Sequence, residues 1–117
     1  MSTFRGERVL MRIFIAEKDR HGRRPLYCAL LDLLRQEGFR GATVLRGVAG
    51  FGESQQVRSA HLLRLSQDLP LVVEAVECQK NIDRVLPKIE KMLDTGLITM
   101  EKVNVIRHGA KAQEEED

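Results

Sequence analysis

The chain has 117 residues, 43% of them hydrophobic, which is enough for one domain whose core needs no disulfide or metal ion to stabilise it. Its 19 lysine and arginine residues and 17 acidic residues leave a net charge of +2, too near neutrality to indicate a surface dedicated to nucleic acid. No run approaches the roughly 18 apolar residues of a membrane span, and Cys28 and Cys78 do not have the density of a disulfide scaffold. We therefore expect a cytoplasmic protein with reduced thiols, no nucleic-acid partner and no membrane insertion.

The first half of the chain predicts a strand, a helix and a second strand. Residues 8–16 are apolar on both alternating faces, which is typical of a strand buried on both sides. A helix is expected from Pro25 to Gly38, because proline suits the first helical position and glycine suits the end of a helix. Residues 42–48 form the second predicted strand, and residues 1–7 are expected to be a flexible N-terminus.

The second half predicts a polar loop and then three further elements. Residues 51–60 are polar and predict a loop that is poorly ordered until a ligand is bound, and residues 61–65 fit either a short strand or a helical turn. The remaining elements are a strand over 71–77, a helix over 79–95 and a strand over 97–107. Pro87 predicts a kink or a late start of that helix, because an interior proline removes a helical hydrogen bond. Residues 108–117 end in four acidic residues and predict a disordered tail.

The order of the predicted elements indicates an α+β fold, a ferredoxin-like βαββαβ sandwich over residues 8–107. Its four strands form one antiparallel sheet with both helices on one face. The other face should be polar in a monomer, yet the first and third predicted strands are apolar on both faces. We therefore expect a homo-oligomer that assembles through the sheet face opposite the helices.

Three glycines, Gly47, Gly50 and Gly52, follow the second predicted strand and form the main candidate for a binding loop. Bare backbone N–H groups can hold an anion, but the spacing matches no phosphate-binding motif. A structural bulge or turn and a ligand-contacting loop both remain open. If Gly50 and Gly52 act as a hinge through positive φ angles, alanine at either position costs about 1 kcal/mol or more.

Other polar groups give weaker signals. Glu17, Asp19 and His21 do not have the spacing of a metal site and are interpreted as solvated loop charges. Arginines at positions 20, 23 and 24 precede a helix start, where they form either an anion-binding corner or an exposed basic turn. No serine or cysteine has the local signature of a catalytic nucleophile. We therefore predict no catalytic and no metal-binding residue.

Several segments resemble the PII signal-transduction superfamily. Gly41-Ala-Thr-Val leading to Gly50-Phe-Gly resembles the second PII strand and the base of the mobile T-loop. Val73-Glu-Ala-Val is similar to the third strand, and Thr95-Gly-Leu-Ile before Lys102-Val-Asn-Val is similar to the B-loop and the last strand. Within the superfamily the chain most resembles the PII-like family called domain of unknown function 190. That likeness rests on His21-Gly22, Pro25-Leu-Tyr27, Gly41-Ala-Thr-Val-Leu-Arg-Gly47, Gly50-Phe-Gly52, Leu63-Arg-Leu-Ser66, Asp68-Leu-Pro70 and Gly96-Leu-Ile.

The resemblance implies a homotrimer with its sheets turned inward and effectors bound in clefts between neighbouring subunits. By position, the ligand-contacting residues that it implies are Gly50, Phe51, Gly52, Glu53, Ser54, Thr95, Gly96 and Arg107. Two features depart from PII proteins: the loop has no tyrosine for nucleotidylation, and Thr99-Met-Glu101 replaces the second glycine cluster and lysine of the B-loop. Some members of the closer family are encoded beside fluoride-export channels, which suggests a membrane-protein partner.

Three functions therefore compete for this chain. The first is a regulatory sensor of a small anionic effector, with an adenine nucleotide as one candidate. The second is a small enzyme that uses the cleft between subunits, and the third is a structural adaptor for a membrane transporter or another protein. Glycine loops and arginines bind anions, whereas the sequence offers no activated nucleophile or metal set that would transform them. We therefore favour the sensor.

Overall fold

The computed structural model describes residues 3–59 and 68–109, which form the predicted α+β sandwich. The elements are β1 (Phe4–Ala16), β2 (Arg20–His21), β3 (Arg24–Pro25), α1 (Leu26–Gln36), β4 (Thr43–Arg46), β5 (Ala49–Gly50), β6 (Arg58–Ser59), β7 (Pro70–Glu77), α2 (Gln79–Met92) and β8 (Leu97–His108). Four strands make an antiparallel sheet in the order β4-β7-β1-β8. Two short hairpins, β2–β3 and β5–β6, complete the described residues. Pro25, predicted as the first helical residue, is the last residue of β3, and α1 begins at Leu26.

Both helices pack on one face of the sheet because side chains alternate along its two central strands. Met11 and Ile13 of β1 and Val73 of β7 are buried on that face. They meet the apolar stripes of the two helices, including Leu30 of α1 and Ile82 of α2. One continuous core results, and the fold class predicted from the sequence is confirmed.

Helix α1 ends through a hydrogen-bonded glycine motif. Gly38 has φ 84° and donates its N–H to the Arg35 carbonyl, and Phe39 donates to the Leu34 carbonyl. This pattern satisfies two carbonyls that the end of a helix would leave unpaired. The residue before Gly38, Glu37, also joins the two helices.

Glu37 accepts hydrogen bonds from two basic side chains of α2. Its Oε1 lies 3.0 Å from Arg84 Nε, and its Oε2 lies 2.6 Å from Lys88 Nζ. The hydrogen bond from Lys88 and then that from Arg84 lower the pKa of Glu37 below its ordinary value. The pair of contacts ties the end of α1 to the middle of α2.

Helix α2 runs through Pro87, so the prediction of a late helix start was wrong. Pro87 has no N–H to donate to the Asp83 carbonyl. Both residues are exposed, so water can replace the missing hydrogen bond. The helix ends at Met92, three residues before the predicted end, because Leu93 adopts an extended backbone with φ −99° and ψ 126°.

The first strand is longer than its apolar pattern predicted. Residues 4–7, assigned from sequence to a flexible N-terminus, pair with the end of β8, and a bulge lies between Phe4 and Gly6. The Arg8 guanidinium lies 3.3 Å from the centre of the Phe4 ring. Strand pairing thus orders a polar segment that carries no burial signal. His108 likewise belongs to β8, although the sequence placed it in the tail.

The sheet face away from the helices, called here the outer face, carries apolar side chains that remain partly exposed. Its members on the two central strands include Leu10, Phe14, Val72 and Val76. On the edge strands, Leu45 is 47% exposed and Leu97 is 55% exposed. Such a face is typical of a sheet that contacts another subunit.

Some predictions fall outside the described residues: the short element at 61–65, residue 60 of the loop and the tail beyond residue 109. Within the ranges that are described, no helix is both long enough and apolar enough to cross a membrane.

Candidate functional site

The glycine loop is held against Pro70, the first residue of β7. Gly47 donates its N–H to the Pro70 carbonyl at 2.7 Å and continues the β4–β7 pairing by one residue. A Cβ atom on Gly50 would lie 3.0 Å from Pro70 Cγ. These two glycines therefore permit close packing on a proline ring, which accounts for them without a ligand.

Beyond Gly50, residues 51–59 form an arm closed at its base by the β5–β6 pairing. Gly50 pairs with Arg58, whose guanidinium binds the buried carboxylate of Asp68. Gln55 donates its N–H to the Gly52 carbonyl at 2.9 Å and makes the turn with φ 65°. Neither Gly50 nor Gly52 has a positive φ, so the expected glycine hinge of that kind is absent at both.

The arm presents its predicted ligand residues to solvent. Gly52, Glu53 and Ser54 are exposed, and Phe51 is 64% exposed. Val48 at 78% and Val57 at 53% add two more exposed apolar side chains. This end of the molecule therefore offers both polar backbone and apolar contact surface.

Thr95 and Gly96 lie at the same end of the sheet as the loop base. Ala16 pairs with Pro70, and Phe14 pairs with Leu97, so the starts of β7 and β8 flank the end of β1. Gly96 has φ 139°, and a Cβ atom on it would lie 3.0 Å from the Phe14 carbonyl oxygen. The structure thus brings seven of the eight predicted ligand residues to one end of the sheet, called here the loop end.

Arg107, the eighth predicted residue, lies at the opposite end. It precedes His108, which pairs with Phe4. The ten residue-to-residue steps from Phe4 to Phe14 span about 33 Å of strand. Arg107 therefore belongs to a different part of the chain's surface from the other seven.

A cavity of about 310 Å³ opens on the outer face beside the start of β4. Its lining consists of Leu10, Gly41, Ala42, Thr43, Glu74, Ala75, Val76 and His108. The lining combines apolar side chains with one carboxylate, one hydroxyl and one imidazole. A nearby backbone turn is also accessible, because a Cβ atom on Gly41 would meet nothing within 4 Å. This composition suits a ligand with an apolar ring and hydroxyl or amino donors.

The Glu74 carboxylate of this cavity is held from the neighbouring strand. Arg12 Nε donates to Glu74 Oε2 at 2.9 Å, and Arg12 Nη1 donates to Glu101 Oε1 at 2.8 Å. Hydrogen bonds to Glu74 and then to Glu101 raise the pKa of Arg12 above its usual value. Three strands, β7, β1 and β8, are thus linked by charge across the outer face.

Sequence reasoning missed the cavity residues although it quoted some of them. Gly41-Ala-Thr43 was interpreted only as the start of a strand, and Glu74 as one position of another strand. A usable signal was present, since Glu74 is a carboxylate between Val72 and Val76 on a face that is otherwise apolar. The place of His108 had no such signal, because it depends on the path of β8.

The other polar candidates have structural partners. Glu17 accepts hydrogen bonds from Arg46 and from the Leu69 N–H, and Asp19 accepts one from the Ala16 N–H. Arg24 in the basic turn pairs with Asp32. Among the residues that the structure describes, no three histidine, cysteine, aspartate or glutamate side chains are grouped so as to hold a metal ion.

The fold is that of solved PII-like proteins. One solved structure with this fold is CPII from Thiomonas intermedia K12, described as a nitrogen regulatory PII-like protein bound to ADP, AMP and bicarbonate. That structure superposes with a TM-score of 0.58 at 17% identity and covers 89% of this chain and 91% of its own. Because the identity is low, the likeness establishes the fold alone.

The sequence comparisons establish the family. Residues 8–105 match the family model of domain of unknown function 190, described as "Uncharacterized ACR". A UPF0166 protein of Aquifex aeolicus (strain VF5) is 40% identical over 97 residues, which are 83% of this chain and 91% of that protein. The UPF0166 protein MJ1524 of Methanocaldococcus jannaschii is 33% identical over 99 residues, covering 84% and 91%. The chain belongs to the domain of unknown function 190 family.

Proposed function

We propose that this protein is a trimeric regulator that binds an adenine nucleotide, together with a small anion, in clefts between its subunits. The observation that carries the proposal is the cavity on the outer face, with Glu74 and the turn at Gly41 to Thr43 in its lining. Solved structures of the same fold support the ligand class, because CPII is bound to ADP, AMP and bicarbonate.

The chemistry of the cavity fits a nucleoside. Leu10 and Val76 provide an apolar surface against which a base can pack, and the exposed backbone at Gly41 can hydrogen-bond its edge. The Glu74 carboxylate accepts hydrogen bonds from hydroxyl groups. Arg107 and His108 place cationic or hydrogen-bonding groups nearby for a phosphate.

The division of candidate residues between the two ends of the sheet supports assembly of several subunits, and the resemblance to PII proteins supports a trimer. The cavity and Arg107 on one chain need the loop end of another chain to complete a cleft. The partly exposed apolar face that carries Phe14 and Val72 provides the contact surface. Light scattering tests this directly: three chains of 13.3 kDa give about 40 kDa, and a 13.3 kDa particle at micromolar concentration contradicts the assembly.

The arm at residues 51–59 is the proposed output of the site. Strand β4, only four residues long, joins Thr43 in the cavity to the arm. A ligand that contacts one arrangement of the arm shifts the population toward it. The exposed Phe51 and Val57 then offer apolar contacts to a protein partner, for which a membrane transporter or channel is our candidate class. The free thiols of Cys28 and Cys78 suit a reducing compartment, so we place the protein in the cytoplasm.

Isothermal titration calorimetry with ADP, AMP and bicarbonate tests the proposal. The key variant is Gly41→Leu, because Gly41 lines the cavity and a Cβ atom on it would meet no protein atom within 4 Å. We expect nucleotide affinity to fall at least tenfold while the melting temperature is retained. Glu90→Leu is the matched control, since it adds the same apolar side chain to an exposed position of α2. Absence of binding by the wild type, or equal binding by Gly41→Leu, contradicts the proposed site.

The enzyme alternative predicts turnover rather than binding alone. Incubation of the trimer with ATP, ADP and AMP, followed by chromatography of the nucleotides, separates the two. Release of a product by the wild type at a rate that Gly41→Leu abolishes would favour the enzyme.

A further inference from the structure

One arginine on the outer face contacts a cavity residue without lining the cavity itself. Arg12 Nε lies 2.9 Å from Glu74 Oε2, and Arg12 Nη1 lies 2.8 Å from Glu101 Oε1. Glu74 belongs to the cavity lining, whereas Arg12 and Glu101 do not. The cavity carboxylate is therefore connected through Arg12 to the edge strand β8.

The strand register explains why Arg12 reaches both carboxylates. Arg12 pairs with Glu74 across β1 and β7 and with Thr99 across β1 and β8. Glu101 is two residues from Thr99 and so lies on the same face. The planar guanidinium donates from separate nitrogens, so each carboxylate is held in a fixed direction, which a lysine ammonium would not enforce.

We propose that Arg12 is a positioning residue that fixes Glu74 for the bound ligand, and that Glu101 acts on ligand affinity only through Arg12. This inference rests on nucleotide binding in the cavity, as proposed above. A carboxylate that is already anchored by one oxygen loses less side-chain entropy when a ligand binds the other. Glu101 is outside the cavity lining and accepts a hydrogen bond from Arg12, so Arg12 connects it to Glu74.

Calorimetry on three single variants tests the connection. Arg12→Met removes both hydrogen bonds and keeps an apolar stem on an apolar face, so ADP affinity should fall on the order of tenfold. Glu101→Gln should reduce affinity by about two- to threefold, because Arg12 keeps its contact with Glu74. Arg12→Lys should fall between them, since it retains the charge and loses the forked geometry.

Double variants distinguish positioning from a general loss of structure. In the Glu74→Gln background, Arg12→Met should cause little further loss of ADP affinity, and Glu101→Gln should cause little further loss in the Arg12→Met background. Light scattering on each variant checks that the assembly is unchanged. If the loss of ADP affinity in each double variant equals the product of the two single-variant losses, the positioning role is overturned. Wild-type ADP affinity in Arg12→Met would overturn it as well.

The two proposals fail in different ways. If the wild-type protein binds neither ADP nor AMP, the proposed function is refuted, and the role of Arg12 falls with it. If the wild type binds ADP and Arg12→Met binds equally well, the proposed function stands and the positioning role alone is refuted. Glu101→Gln, on an exposed edge strand, provides the same test should Arg12→Met fail to assemble.

Discussion

The turn before β8 should be intolerant of any side chain at Gly96. Its φ of 139° lies in a region that L residues rarely adopt, and a Cβ atom would lie 3.0 Å from the Phe14 carbonyl oxygen. That oxygen is part of β1 in the middle of the sheet, so it cannot move aside without disturbing the strand pairing. The Gly96→Ala substitution therefore combines backbone strain with a backbone contact.

The expected cost of Gly96→Ala is about 1–3 kcal/mol, the range for a residue forced into a sparsely populated conformation. For a domain of this length each kcal/mol lowers the melting temperature by roughly 4 °C, which gives a decrease of about 4–12 °C. Thermal denaturation should be measured without ligand and at one protein concentration, because the melting temperature of an oligomer depends on concentration.

Gly52→Ala is the matched control for this prediction. Gly52 has no positive φ, and a Cβ atom there would meet nothing within 4 Å, so we expect a change within about 0.5 kcal/mol. A Gly96→Ala protein that melts within 1 °C or so of the wild type would refute the strain argument. An equal decrease in Gly52→Ala would show that the two glycines do not differ in the way the backbone angles indicate.

Three further predictions address the core, the contacts of Glu37 with α2, and the arm. Leu30→Ala should lower the free energy of unfolding by about 2–5 kcal/mol, because Leu30 is fully buried; a change below about 1 kcal/mol in urea denaturation would contradict this. The lowered pKa of Glu37 means that its contribution to stability is present above its unfolded pKa and is lost as pH falls through the folded pKa. The difference in melting temperature between wild type and Glu37→Gln should therefore shrink from pH 7 to pH 3, and a constant difference would exclude the charge as its cause. Hydrogen exchange of residues 51–59 should slow when ADP saturates the protein, and protection that no bound ligand changes would rule out the arm as the output.

The order of the four main strands and two helices could be predicted from local patterns. Side chains alternate along residues 8–16 and 71–77, and an apolar stripe runs along the helix around Leu30. These patterns show which face of each element is buried, whatever its neighbours in the sandwich. Gly38 was also predictable as a helix end, because few other residues adopt its positive φ. The apolar outer face was predictable for the same reason, because both sets of alternating positions in β1 are largely apolar.

The elements that were missed depend on partners distant in sequence. Residues 4–7 look like a polar terminus, but the end of β8, about a hundred residues away, supplies their hydrogen bonds. Gly50 looked like a hinge or ligand contact, and only the position of Pro70 shows that a close chain contact accounts for it. Pro87 indicated an interrupted helix, while exposure of that side of α2 allows the helix to continue.

The candidate site, too, could be predicted only in part from the sequence. The amino-acid sequence by itself determined the family likeness and the positions of the loop-base glycines, because these are local motifs that can be recognised without knowing their neighbours. Only the tertiary structure decided that Arg107 lies at the other end of the sheet and that Glu74 borders a cavity with Gly41 and His108. The physical reason is strand register: which residues face each other across β4, β7, β1 and β8 is set by packing of the whole sheet, and no single strand contains that information.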